Sequence, residues 1–534
     1  MAEGGIISIV PPVIAIVMAI VTRKAVLSLF LGIWAGGIIF AENIGIVQTF
    51  DWIATAIGES VFHAQIIIFT LLLGSSVAMM WRLGGSHAIR NWAIERVDTQ
   101  RKAGVMAWLL GLVLFFDDYA NTAVVGSTMK DISDNLQISR EKLSYLVDST
   151  AAPVATLLIS SWVAFQLSMI EQGYEATGIP EAEIPDSFSV FLDSIPYNMY
   201  AILAIAMVGI IVLSQRDYGE MLTAERRAAT TGKLNRDDAR PMQDVEGDLG
   251  DPNVDNPRLS SFIVPILVLI VGVVVTALWS GGLFDGSTLR EAIEGADYAL
   301  ALVLGSFAMV VSTYILGYAF SVLSIGESVD TTIDGFGIML TAVTILVLAW
   351  SLGEVVSALG TGDYVAGVVD DFVTPEILPT VVFVTAGFIA FTTGSSWGTM
   401  TILTPIAIPV AWDLVGTHEM VSVMVGMVFS GAIFGDHCSP ISDTTVLSAT
   451  FTGADLIDHV RTQLYYAGTV ASVVILLMVV WGYTSVSPLL LLPVGIALLV
   501  GLVYGLSELH ASRRNLDPVQ AVDASEIAPP EDDD

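Results

Sequence analysis

Cysteine occurs once in the 534 residues, at Cys438, so the chain can form no intramolecular disulfide and no cysteine-based metal cluster. Charge is scarce too: Asp, Glu, Lys and Arg make up 14% of the chain, where a soluble protein carries about a quarter. Positive charge is the rarer sign, with five lysines and sixteen arginines against 54 acids and a formal net charge of −33. That balance excludes a nucleic-acid-binding protein, which needs a basic face. Acid-crowded loops stay hydrated in concentrated salt, so the composition predicts a halophilic archaeon or bacterium.

Enzyme signatures are missing as well. Lys233 in "TGKLN" lacks the spacing of a phosphate-binding loop, which excludes ATP-driven pumping. "HEMVS" at His418 lacks the second histidine of a zinc helix. "GTGD" (360–363) fits half of an intramembrane aspartyl protease signature, but the chain has no Tyr-Asp dipeptide to complete it. The reading is of a protein that is not an enzyme.

What the chain does have is apolar length: 54% of it is hydrophobic, in runs of the ~20 residues that a helix needs to cross a bilayer. The fold class expected is an all-α polytopic membrane protein with about eleven full spans. They fall near 6–22, 25–41, 62–81, 143–170, 196–214, 261–279, 299–324, 337–359, 420–450, 464–482 and 488–507. The first lacks a basic leader and cleavage site, so it reads as a retained helix. Two more stretches, 104–128 and 377–413, are interrupted midway by polar or Gly-rich residues and read as re-entrant hairpins.

Basic residues orient these spans. With the N-terminus outside, twenty of the twenty-one Lys and Arg fall inside, Arg290 being the exception, provided that 104–128 is a hairpin. Residues 42–61, 171–195 and 360–376, placed outside, contain none. This puts the linker 215–258 and the C-terminus in the cytoplasm.

The linker divides the chain into halves of similar length, and the halves look related. "STAAPVATLLISS" (149–161) aligns with "DHCSPISDTTVLS" (436–448), Pro153 facing Pro440, and "DDYANTAVVGS" (117–127) faces "GSSWGTMTILT" (394–404). In the oriented topology one hairpin enters from inside and the other from outside, which makes an inverted repeat. The expected organisation is repeat 1 over 1–214, a flexible acidic linker over 215–258 and repeat 2 over 259–485. An extra helix at 486–507 and a disordered acidic tail at 508–534 complete it.

Each half thus carries two polar patches at membrane depth, where a carboxylate costs about 2.5–3.5 kcal/mol. Asp117, Asp118, Asn121 and Thr122 lie in the first hairpin, and Asp148, Ser149 and Thr150 precede the break at Pro153. Ser395, Ser396 and Thr399 lie in the second hairpin; Asp436, His437, Ser439, Ser442, Asp443 and Thr444 surround the break at Pro440. One such patch is explained by a loop tip among headgroups; four at matching points of two halves describe a site. Carboxylates, hydroxyls and freed carbonyls suit a small hard cation. The expectation is Na+ at Asp436 and Asp443, with Asn121, Thr122 and Ser396 completing the shell, and no cofactor. Proton and cation competing for one carboxylate suffices for exchange. His437 reads equally as a proton relay or as a partner that steadies a carboxylate; Cys438 reads as packing.

"GDHCSPISDTT" (435–445), "FDDYANT" (116–122), "DSTAAPVA" (148–155) and "TGSSWGTM" (393–400) together resemble the NhaC-type Na+/H+ antiporter family. The resemblance covers roughly residues 1–510. It implies inverted repeats, alternating access and a cation site among Asp117, Asp118, Asn121, Asp148, Asp436 and Asp443. Similar proteins also exchange organic acids such as malate and lactate. The alternative is therefore a Na+- or H+-coupled carrier of a small carboxylate or amino acid; it wants Arg or Lys at membrane depth, which the expected spans lack. By analogy with other such carriers, a homodimer in the cell membrane is expected.

Overall fold

The computed structural model describes residues 5–22, 24–58, 61–94, 96–115, 118–157, 161–175, 177, 179–180, 183–185, 187–241, 257–360, 364 and 374–519. A backbone that loses water must satisfy its own hydrogen bonds, which a helix does within one segment, and the described residues are nearly all helical. The first half runs α1 (Val10–Thr22), α2 (Ala25–Ala41), α3 (Ile46–Gly58), α4 (Val61–Arg82), α5 (Gly85–Ile94), α6 (Gln100–Val113) and α7 (Asp118–Asn135). It continues as α8 (Arg140–Asp148), α9 (Ala152–Ala155), α10 (Ser161–Glu175), α11 (Ser187–Ser194) and α12 (Met199–Ser214), and α13 (Gly219–Thr231) lies in the linker. The second half runs α14 (Ser260–Ser280), α15 (Leu289–Glu294), α16 (Tyr298–Ala319), α17 (Ile325–Ala358), α18 (Leu378–Thr393) and α19 (Ser396–Val415). Last come α20 (His418–Cys438), α21 (Asp443–Thr452), α22 (Leu456–Thr484) and α23 (Pro488–Arg514).

Seven helices among the described residues are long and apolar enough to cross a membrane, and up to ten do so if each bent pair counts as one span. They pack closely at small residues. α18 and α20 run side by side because Gly431 and Gly435 bring bare backbone against Phe383 and Gly387. In lipid, where no hydrophobic force favours helix over solvent, such close approach supplies the attraction.

The interrupted helices exchange partners between halves. α7 packs on α21 while α19, the sequence counterpart of α7, packs on α10. Likewise α8 packs on α22, and α20 packs on α12.

Five boundaries differ from expectation. Residues 42–61, expected only as a segment between spans, hold α3: Thr49, Trp52 and Ala56 form a buried stripe at helical spacing, and the helix folds back at 117° to α2. The span expected at 337–359 begins at Ile325, and that expected at 464–482 begins at Leu456. Most consequential is the linker. Its first part is no flexible connector, because Met221, Leu222, Ala224 and Ala228 give α13 an apolar stripe buried against α8, α22 and α23. The tail likewise stays helical to Arg514, whose guanidinium donates to Gly219 O at 2.6 Å.

Ion pairs fasten this linker. Lys142, near the start of α8, meets Asp217 at 2.7 Å and Glu225 at 3.2 Å, all three nearly buried. Arg227 pairs with Glu141 and Arg236 with Asp458, so the strap 215–241 grips both the first break's helix and the start of α22.

Candidate functional site

The second break is built from the residues around Pro440. α20 is buried along almost its whole length and ends at Cys438. Ser439 turns extended, with φ −86 and ψ 126, Pro440 has no backbone N–H to continue the helix, and α21 restarts at Asp443. Asp436, with no exposed surface, is held across this gap. Its Oδ1 accepts from Ser442 Oγ at 2.8 Å and its Oδ2 from Thr444 Oγ1 at 2.7 Å. The two hydroxyls lie 3.1 Å apart. Asp443 stands in the first turn of α21, where the helix dipole favours a negative charge. Its Oδ2 accepts from the Tyr119 hydroxyl of α7 at 2.5 Å.

The turn between α18 and α19 braces the same break. Gly394, at φ +69, sits against the carbonyl of Ile441, and Ser439 Oγ donates to Phe391 O at 2.9 Å. Ser395 and Thr399 serve their own turn: Ser395 Oγ caps Gly398 N at 3.0 Å, and Thr399 Oγ1 donates to Ser395 O at 2.9 Å. Ser396 is buried in the same turn.

The first break follows Asp148, between α8 and the short α9 that carries Pro153. Thr150 Oγ1 bonds back to Leu146 O at 2.8 Å, and Ser149 is buried beside it. Asn121 closes the adjoining interruption, its Nδ2 donating to Gly111 O (2.8 Å), Leu114 O (3.1 Å) and Thr150 O (3.0 Å). Its Oδ1 is buried with no hydrogen-bond partner among the described residues. Thr122 Oγ1 donates to Tyr119 O at 2.8 Å, and Asp118 is buried at the start of α7. Asp117 lies outside the described residues.

The two breaks meet through side chains of opposite halves. Asp148 receives Gln463 Nε2 at 2.6 Å, Thr445 Oγ1 at 3.3 Å and Ser448 Oγ at 3.3 Å, with His459 Nε2 also at 3.3 Å. His437 Nε2 lies 3.1 Å from the Asp148 carbonyl and its Nδ1 3.2 Å from the Tyr200 hydroxyl. Sequence reasoning named Asp148 and His437 but missed Tyr119, Tyr200, Ser448, His459 and Gln463. For His459 and Gln463 a signal existed: with Asp458 and Thr462 they form a buried polar face on an apolar helix, just before Leu464, where the expected span begins.

Among the described residues, no three His, Cys, Asp or Glu converge as a metal-binding group. What converges is two carboxylates and several hydroxyls, a hard-oxygen set, inside a bundle of broken helices.

A multi-pass helical membrane protein with buried carboxylates at two helix breaks is of the secondary-transporter class. The sequence matches the Na+/H+ antiporter family over residues 154–483, and the chain belongs to that family. An uncharacterized protein of Haemophilus influenzae is 33% identical over 489 residues, 89% of this chain and 91% of its own length. Shorter matches are to the malate-2H+/Na+-lactate antiporter of Bacillus subtilis (30% over 113 residues, 21% of this chain and 24% of that protein) and to the Na+/H+ antiporter NhaC of Alkalihalophilus pseudofirmus (32% over 111 residues, 20% and 23%). Family membership points to a transporter and away from an enzyme.

Proposed function

We propose that the chain exchanges Na+, with Li+ as a second cargo, for H+ across the cell membrane by alternating access. One observation carries this reading: the buried Asp436 carboxylate is gripped by Ser442 and Thr444 across a Pro-broken helix, with Asp443 beside them. A hydroxyl has one proton to give and two lone pairs to offer. When Na+ displaces a proton from the aspartates, the same two hydroxyls rotate their lone pairs toward the cation. Asn121 Oδ1, which has no other partner among the described residues, joins from the first interruption, and Thr122 and Ser396 complete the shell. One shared set of carboxylates then binds either H+ or Na+, which couples the two fluxes.

The exchange of helix partners between the halves supports the inverted-repeat reading. In it, α6–α7 and α18–α19 are the re-entrant hairpins, and each rests against a broken crossing. The N-terminus lies outside and the strap 215–241 inside, where its basic residues belong. The acid excess fits a halophilic prokaryote, and a homodimer is the assembly expected of such a carrier.

Purified protein in proteoliposomes with an imposed pH gradient tests the proposal. Na+ and Li+ dissipate the gradient, K+ does not, and Asp436→Asn abolishes the response. Dissipation by malate or lactate without any response to Na+ would select the organic-acid exchanger instead. Single-channel current in a planar bilayer would overturn a carrier of either kind.

A further inference from the structure

Asp148 belongs to the first half, yet the side chains that hold its carboxylate come from the second. One of them does more. The Gln463 amide nitrogen donates to Asp148 Oδ2 at 2.6 Å and to the backbone carbonyl of His437 at 2.8 Å. The first is the last residue of α8; the second lies in the last turn of α20, among the carbonyls that the Pro440 break leaves without a helical partner. A single planar amide with two diverging N–H groups thus spans both broken crossings. His459, one turn earlier on the same buried face of α22, presses on the same carboxylate oxygen at 3.3 Å.

We infer that Gln463, backed by His459, is a positioning residue that holds the two helix breaks in register and keeps the second one closed around Asp436. It need not touch the cargo. Its two protons fix the separation of Asp148 from the His437 carbonyl, and one residue beyond Asp436 any drift of that carbonyl carries the carboxylate away from Ser442 and Thr444. Leucine at this position keeps the bulk and removes both donors, leaving a buried carboxylate oxygen and a buried carbonyl each short of one bond.

Cys438 supplies the test. It is the chain's one thiol, buried at the break between His437 and Ser439, so alkylation reports access to this break. The protein in proteoliposomes is treated with N-ethylmaleimide, and modification is followed by intact mass. Gln463→Leu is expected to speed alkylation at least about tenfold, the scale of a lost hydrogen bond to a charged group. Leu499→Ala, a buried cavity variant on α23, is expected to label as wild type. Wild-type labelling in Gln463→Leu would overturn the inference, as would equal acceleration in Leu499→Ala, which would show that general loosening suffices. If the leucine variant fails to fold, Gln463→Asn keeps the amide but draws it back by one methylene, and is expected to label faster too; wild-type labelling there also overturns the inference.

Turnover gives a second readout, and only this one rests on the antiport reading. In Gln463→Leu the maximal exchange rate is expected to fall about tenfold while the apparent KM for Na+ stays within about threefold, because register is lost and ligands are kept. A raised KM at unchanged maximal rate would make Gln463 a ligand and overturn the positioning role. Absence of Na+ exchange in wild type would sink the antiport reading and leave the labelling result standing.

Discussion

Tyr119, on the helix after the first interruption, donates its hydroxyl at 2.5 Å to Asp443, which opens the half-helix after the second break. This bond joins the halves at the carboxylate proposed to bind the cation, and the ring is buried. Tyr119→Phe keeps the packing and removes only the donor, a loss of about 1.5–3 kcal/mol for a bond to a charged group. Freed from it, Asp443 can rotate away from Asp436. The expected outcome is an apparent KM for Na+ raised about tenfold with the melting temperature lowered by only a few degrees, read by pH-gradient dissipation and differential scanning fluorimetry. An unchanged KM would remove Asp443 from the cation shell.

Asp436→Asn and Asp443→Asn preserve shape and remove charge. Asparagine at 436 still offers one acceptor, but its NH₂ now faces a hydroxyl that was donating to the carboxylate. Each variant is expected to fold, since the packing around the break is kept, and to lose at least about a hundredfold in exchange because a neutral amide can neither trade a proton nor balance a cation. Normal Na+-driven dissipation in either would sink that residue's assignment.

The break at Pro440 was legible because "GDHCSPISDTT" places polarity and a proline inside an apolar run. Matching prolines pointed to the first break in the same way. What could not be read was which patch touches which. Asn121 was expected in the cation shell, yet its nitrogen ties three backbone carbonyls, and only its oxygen is left for a ligand. Ser395 and Thr399 are engaged as a cap and a back-bonded hydroxyl, roles any helix start can use. His459 and Gln463 escaped because hydropathy averages over a window, and four polar residues at one end of α22 shifted the apparent boundary inward. The strap was misread for a related reason: its apolar stripe is only one face of a short helix, diluted by the charges that turn out to be its ion pairs.

Gly394 makes a backbone prediction. It sits at φ +69, where a side chain is strained, and a Cβ would come within 2.6 Å of the Ile441 carbonyl. Because that carbonyl belongs to the second break, Gly394→Ala must move either the α18–α19 turn or the break itself. A stability loss of about 1 kcal/mol or more is expected from the left-handed conformation alone, with exchange reduced about tenfold by the displaced turn. Gly468→Ala on α22, where nothing lies within 4 Å of the added atom, is the matched control and should behave as wild type. Full activity in Gly394→Ala would show that the turn does not bear on the break.

Two acids share one lysine under the strap, and that asymmetry sets a pH dependence. Asp217 holds Lys142 at 2.7 Å and also accepts from the Tyr466 hydroxyl at 2.6 Å. Glu225 reaches Lys142 only at 3.2 Å, with Ser139 N at 2.9 Å as its other donor, while nearby Arg227 is engaged with Glu141. Burial, reinforced by the neighbouring Asp217 charge, therefore pushes the Glu225 carboxyl above the usual range, although Lys142 pulls the other way. A folded-state value above the unfolded one means that the folded protein binds more proton between the two. Stability from this group is thus full below about pH 4.3, the ordinary glutamate value, and is lost as pH rises through the raised one. Melting temperature should decline across that window in wild type, and Glu225→Gln should flatten the decline at little cost near neutral pH. Lys142→Met leaves both acids buried without their cation and should cost about 3–5 kcal/mol. An unaltered pH profile in Glu225→Gln would assign the proton elsewhere in the strap.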